Sequence, residues 1–171
     1  WIYNFSLPPL ILYSLLFADS SILRRWSMSM PPALIGTSYL NFLSSHDGFG
    51  MRPTEGLLDE TQRERLFDRL EANGSLFSRR AKADGTTSVY EANTTLFSAL
   101  EKSDGDPTGA LSSARFIAAY ALMFGLEGIP AIYFNSLISA QNHTDGVARS
   151  GMKRRINRQK FEKDWLDDKL S

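Results

Sequence analysis

Apolar residues crowd the first seventeen positions, WIYNFSLPPLILYSLLF, and recur afterwards in shorter, periodic blocks. Asn4, Ser6 and the Pro8-Pro9 pair interrupt the first block, and no basic leader precedes it. The uninterrupted apolar run that remains is too short for a bilayer, whose core takes about 20 helical residues, and lacks the layout of a targeting signal. Proline is tolerated in a first helical turn. The block therefore predicts a helix starting near Pro8 or Pro9, running to about Asp19, and buried because it is apolar nearly all round.

Beyond that helix the pattern alternates strands with helices. Thr37 to Leu43, TSYLNFL, follows the Pro31-Pro32 break and has the aromatic content of a strand. It leads into the turn-rich loop SSHDGFGMRP. LLDETQRERLFDRLEANG comes next: Asp59 can cap a helix, Gln62 can complete a capping box, Leu66, Phe67 and Leu70 form an apolar stripe, and Gly74 ends it. Asp106-Pro107 marks another helix start, with Leu111, Ala114, Ala118, Ala121 and Leu122 at helical spacing until Gly125 and Gly128. Ile129 to Phe134, IPAIYF, then reads as a short buried strand. A helix, a short link and an apolar strand make an α/β unit with a parallel sheet. Between the halves lies a long excursion, residues 83–106, with a helix expected from Asn93 to Lys102; excursions of that length tend to be functional. Without repeats or a clean linker, residues 1–171 read as one structural unit.

Composition narrows the chemistry. The 171 residues fit one soluble domain, and the absence of cysteine excludes disulfides, thiolate nucleophiles and cysteine-bound zinc. Two histidines, His46 and His143, cannot build a histidine-rich metal site. The 19 basic and 19 acidic side chains cancel, which removes net attraction to nucleic acid or an anionic membrane as a first explanation. The distribution is uneven. Residues 149 to 160 carry Arg149, Lys153, Arg154, Arg155, Arg158 and Lys160 without an acid, a run whose ordinary reading is a solvated face. Four N-x-S/T sequons, at Asn4, Asn73, Asn93 and Asn142, would be glycosylated only on a secretory route, which nothing else in the sequence supports; a cytoplasmic location is expected. The chain opens on Trp1 and stops at Ser171 inside a helical pattern, so a fragment of a longer protein is expected.

Ligands of parallel α/β folds gather at the carboxyl ends of strands. After the first strand stands Ser44-Ser45-His46-Asp47-Gly48, where Asp47 is either a carboxylate projected from a fixed strand end or part of an ordinary Asp-Gly turn. There is no G-x-S-x-G elbow, no Walker A loop and no G-x-G-x-x-G, and a His-Asp metal site lacks further ligands. Carboxylate-driven glycosyl transfer remains, with an arginine if a phosphate takes part.

NFLSSHDGFGMRPTEGLL resembles the seventh-strand segment of the α-amylase superfamily of retaining glycoside hydrolases and transferases, and within it the sucrose-phosphorylase branch, of the glucosylglycerate and sucrose 6-phosphate phosphorylase type. VYEANTTLFSAL, IPAIYFNSLISAQN and RRINRQKF are similar to three further blocks of that branch, in the same order. The resemblance implies the C-terminal part of a (β/α)8 barrel, with the two strands above as its seventh and eighth. It implies that Asp47 is the transition-state-stabilising carboxylate, His46 a sugar ligand, Arg158 an arginine near the sugar and phosphate, and Tyr90 and Glu91 part of the loop bordering the acceptor. Glu91, where plain sucrose phosphorylases tend to carry glutamine, and the Arg52-Pro53 extension favour an acceptor other than free fructose. The implied partners are an α-glucoside and inorganic phosphate, with no cofactor and no metal. The implied nucleophile and acid/base belong to the fourth and fifth strands, upstream of Trp1, so the 171 residues are expected to be inactive alone. A non-catalytic carbohydrate-binding remnant, a hydrolytic α-amylase-type glycosidase and a structural α/β module that docks through its first apolar helix stay open as alternatives.

Overall fold

The computed structural model describes residues 1–170. Strand β1 (Ile2–Tyr3) leads into helix α1 (Leu7–Phe17), whose first turn holds both prolines. Every face of α1 is covered: Leu7, Leu10, Ile11, Leu12, Tyr13 and Leu16 are all 3% exposed or less. Such a helix gains little from solvent and is held by packing. Its neighbours include α2 (Ser21–Ser29), an amphipathic helix that the sequence pattern did not reveal and that buries only Ile22.

Strand β2 (Tyr39–Phe42) lies within the expected 37–43 and pairs in parallel with β1 on one side. On its other side it pairs in parallel with β6 (Ile129–Ala131), giving the order β1-β2-β6. The parallel α/β expectation holds, but β6 stops three residues short of the predicted Phe134, because Phe134 begins helix α6 (Phe134–Leu137). Side-chain amides tie the three strands together: Asn4, just past β1, donates to Asn41 Oδ1 on β2 at 2.9 Å, and Asn41 donates to the Glu127 carbonyl, just before β6, at 3.0 Å.

A second sheet, antiparallel with order β3-β5-β4, draws its central strand from the excursion and its two outer strands from the chain before it. Its strands are β3 (Phe49–Gly50), β4 (Leu76–Ala81) and β5 (Thr87–Asn93). Helix α3 (Glu60–Ala72) precedes β4 and follows the expected signals closely. Asp59 accepts the Gln62 N–H at 2.8 Å, Gln62 accepts the Asp59 N–H at 3.0 Å, and Gly74 exits with φ +83°. The helix expected over Asn93–Lys102 contracts to α4 (Leu96–Ala99), capped by Thr95, while Asn93 ends β5. Strand pairing wins there because Phe77 and Ala92, which are registered partners, both join the core around α1.

Helix α5 (Ser112–Phe124) begins later than Asp106-Pro107 predicted. Asp106 acts from a distance: its carboxylate accepts the N–H groups of Gly109, Ala110 and Leu111 at 3.1, 3.1 and 2.8 Å and pairs with Arg115 at 2.9 Å. The predicted stripe also proves to be the outer face. Leu111, Ala114, Ala121 and Leu122 are exposed, whereas Arg115, Phe116, Ala119 and Met123 are buried. Helical spacing selects an apolar face, and α5 carries two; the one bearing Phe116 and Met123 joins the cluster around α1. Helices α7 (Thr144–Ser150) and α8 (Lys163–Leu170) flank a short 3-10 turn, Lys153–Asn157.

The N–H bond from Leu111, followed by Arg115 and the other loop donors, holds the Asp106 carboxyl well below the usual carboxylate range. A depressed folded pKa contributes stability that is complete above the unfolded value and is lost as pH falls through the folded one. Urea midpoints are therefore expected to fall steadily below about pH 4. In Asp106→Asn that slope becomes shallower, which urea melts at pH 5, 4 and 3 will show.

The four sequons are occupied internally. Asn4, Asn73 and Asn93 are each 7% exposed or less, and Asn142 spends its amide on the Thr95 N–H and the Gly74 carbonyl. These amides are structural donors and acceptors in the folded chain.

Candidate functional site

The segment after β2 folds as a tight turn. Ser45 and Gly48 exchange both backbone hydrogen bonds at 3.1 Å, leaving His46 and Asp47 at the tip. Gly48 has φ +107°, and a β-carbon there would lie 2.2 Å from the Ala92 carbonyl oxygen, so close approach to β5 requires glycine. The Asp-Gly turn and the projected carboxylate are thus one structure: the turn is the device that presents Asp47. Ser45 Oγ accepts the Asp47 N–H at 3.2 Å, and Asn93 Nδ2 donates to the Asp47 carbonyl at 2.9 Å, fixing the tip from both sides.

Two arginines and a histidine surround Asp47. Arg158 Nη2 donates to its Oδ1, Arg154 Nε approaches the same oxygen at 3.4 Å, and His46 Nε2 lies at 3.5 Å. Arg158 also donates to the His46 carbonyl at 3.3 Å. The 3-10 turn Lys153–Asn157 brings these groups in. Asn157, 1% exposed, donates to the Ser45 carbonyl at 2.7 Å, while its own carbonyl accepts from Tyr133 Oη at 2.8 Å and from Asn135 at 3.3 Å. Asn157 therefore joins the turn after β2 to the segment after β6. Burial raises the Tyr133 phenol above its ordinary pKa and keeps it a donor.

Glu91 enters from β5. It is buried, and Arg154 grips it through two bonds, Nε to Oε1 at 3.0 Å and Nη2 to Oε2 at 2.8 Å. That pair raises the Arg154 guanidinium further above its already high value. Asn93 donates to Glu91 Oε1 as well as to the Asp47 carbonyl, so one amide touches both acidic residues. The register of β4 with β5 passes from Ser78–Glu91 to Arg79–Val89 and skips Tyr90. Such a bulge re-aims a side chain.

The turn tip forms one wall of a cavity of about 450 Å³. Phe5, Phe42 and Ile132 supply apolar floor, with Ser44, His46 and Asp47 at the strand ends. An apolar floor with a carboxylate at its rim suits a sugar ring, whose faces carry C–H bonds and whose edges carry hydroxyls. Among the described residues no group of three or more side chains has the makings of a metal site, and no helix is long and apolar enough to cross a membrane.

Of the six residues singled out in the sequence, the structure gathers Asp47, His46, Arg158 and Glu91 into one network and places Tyr90 beside it on β5. Arg52 stands apart. It sits in a 3-10 turn, Arg52–Thr54, exposed and with no side-chain hydrogen bond or ion pair among the described residues. Arg154 and Asn157 were missed, although both lie in the RRINR block. The solvated reading of the basic run fails for Arg154 and Arg158, which are spent on Glu91 and Asp47. Asn93 was hidden in a sequon.

No family model matches the chain. Curated relatives do. It is 35% identical to the glucosylglycerate phosphorylase of Escherichia coli (strain K12), over 99% of this chain and 30% of that protein. It is 37% identical to the glucosylglycerate phosphorylase of Spirochaeta thermophila, over 99% of this chain and 28% of that protein. A sucrose phosphorylase from Agrobacterium vitis is 30% identical over 97% of this chain and 33% of its own length. Among solved structures, sucrose 6F-phosphate phosphorylase from Thermoanaerobacter thermosaccharolyticum superposes with a TM-score of 0.82 at 26% identity, covering 99% of this chain and 33% of that one. The chain thus spans about 30% of the length of the curated relatives it matches.

Proposed function

We propose, from the premise that this chain is a relative of the sucrose-phosphorylase-like glycoside phosphorylases of the α-amylase superfamily, that it supplies the sugar-stabilising corner of a retaining α-glucosyl phosphorylase. The observation that carries this reading is Asp47 itself, held at a turn tip on the carboxyl end of a parallel strand, ion-paired to Arg158 and facing a cavity with an apolar floor. In this reading β2 and β6 are the seventh and eighth strands of a (β/α)8 barrel. Among the described residues the outer edges of β1 and β6 carry no further strand, which accords with that, since parallel sheets are ordinarily covered and their strands paired.

The chemistry is double displacement. A carboxylate nucleophile attacks the anomeric carbon while a carboxylic acid protonates the departing oxygen; phosphate then takes the glucosyl unit to give α-glucose 1-phosphate with retention. Asp47 contributes by holding sugar hydroxyls, a contact that strengthens as positive charge develops on the ring. His46 donates to a neighbouring hydroxyl. Arg158 orients Asp47 and offers donors to an incoming oxyanion, and Tyr90 and Glu91 border the acceptor. The nucleophile and the acid/base are proposed to lie outside these 171 residues.

A direct assay tests this. The purified 171-residue chain, incubated with phosphate and glucosylglycerate or sucrose, is expected to release no glucose 1-phosphate, whereas the full-length product of the gene that encodes it does. Turnover by the 171-residue chain, abolished by Asp47→Asn, would overturn the division of labour proposed.

A further inference from the structure

Glu91 poses a physical problem within the proposed site. Its side chain is only 9% exposed, it lies one arginine away from the Asp47 carboxylate, and a buried carboxylate without a partner is strongly disfavoured. Arg154 resolves it. The guanidinium meets Glu91 in a fork, at 3.0 and 2.8 Å, and leans on Asp47 at 3.4 Å, while its own side chain stays 41% exposed. Two acidic residues and two arginines, Arg154 and Arg158, leave this corner close to neutral instead of doubly negative.

We infer that Arg154 is a positioning residue that neutralises Glu91 and thereby sets the tolerance of the acceptor side for an anion. The inference rests on the proposed glucosyl-transfer reading and adds to it a residue that does not itself react. With Arg154 gone, Glu91 faces the acceptor side as an uncompensated negative charge. An anionic acceptor is then repelled while water is not. The fork matters as well as the charge, because only a planar guanidinium satisfies both carboxylate oxygens at once.

The test uses the full-length product of the gene encoding this chain, with α-glucosyl fluoride as a neutral donor. Fluoride leaves as the C1–F bond breaks and the nucleophilic carboxylate bonds to C1; that C1–O bond then breaks as a phosphate oxygen attacks, giving glucose 1-phosphate, or as water attacks and gives its proton to the acid/base, giving glucose. The ratio of these products is read at fixed phosphate. Arg154→Met is expected to lower the phosphate-to-water ratio about tenfold, Arg154→Lys by about threefold. Glu91→Gln added to Arg154→Met is expected to return the ratio towards the parent value, because no charge is left to repel. If Arg154→Met alone does not fold, the lysine variant and the double variant carry the same comparison. Equal loss of both products, an unchanged ratio, or failure of Glu91→Gln to restore it would overturn the role of Arg154 and leave the function standing. A parent protein that transfers glucose to neither acceptor would overturn both.

Discussion

Asp47→Asn in the full-length protein is expected to lower kcat for glucose 1-phosphate formation by about a thousandfold while leaving the fold intact. The two halves of that expectation have separate causes. Asp47 lies at a turn tip with its side chain 26% exposed, and its ion pairs with Arg158 and Arg154 are partly solvated, so removing its charge costs about 1 kcal/mol or less of stability. The turn is closed by backbone bonds between Ser45 and Gly48, which asparagine leaves untouched. Under the proposed function catalysis is another matter, because an amide keeps the shape and loses the negative charge proposed to meet a developing oxocarbenium ion. Thermal melts beside rate measurements will separate the two, and a large fall in melting temperature with a proportionate fall in rate would reassign Asp47 to structure.

Gly48→Ala should act in the opposite way, through the backbone first. The residue has φ +107°, and an added β-carbon would meet the Ala92 carbonyl oxygen at 2.2 Å. That oxygen belongs to β5 in the core of the antiparallel sheet and cannot rotate aside. Either the turn withdraws from β5 or the strand bends, at a cost of about 2–4 kcal/mol. Withdrawal would also break the Asn93 bond to the Asp47 carbonyl, so sugar binding and stability should fall together. Gly50→Ala is the matched control: nothing lies within 4 Å of its added carbon, and a change within about 0.5 kcal/mol is expected in urea melts. Equal effects at the two glycines would show that the contact with Ala92 is dispensable.

Local signals and long-range contacts were unequally legible in the sequence. Helix α3 announced both ends because Asp59, Gln62 and Gly74 act within a few residues of themselves. The turn at His46-Asp47 was visible for the same reason. Strand β1 was not, since two residues next to a long apolar block carry no period, and only pairing with Tyr39 and Leu40 makes them a strand. The face of α5 was misjudged because spacing cannot choose between two apolar stripes without knowing where α1 lies. In the candidate site, Asp47, His46 and Arg158 came from a resemblance carried by short blocks. Arg154, Asn93 and Asn157 required the fold, because their roles consist of reaching Glu91 from 63 positions away, the Asp47 carbonyl from 46, and the Ser45 carbonyl from 112. Arg52 shows the converse: a residue chosen by neighbourhood in sequence lies outside the network in space.

The anomeric configuration of the product bears most directly on the proposal of retaining phosphorolysis assisted by Asp47. The full-length protein is incubated with glucosylglycerate and inorganic phosphate, and the newly formed product is followed by proton NMR. The expected result is α-glucose 1-phosphate from the first turnover, formed about a thousandfold more slowly by Asp47→Asn. Free glucose as the sole product, β-glucose 1-phosphate, or undiminished turnover in Asp47→Asn would contradict it.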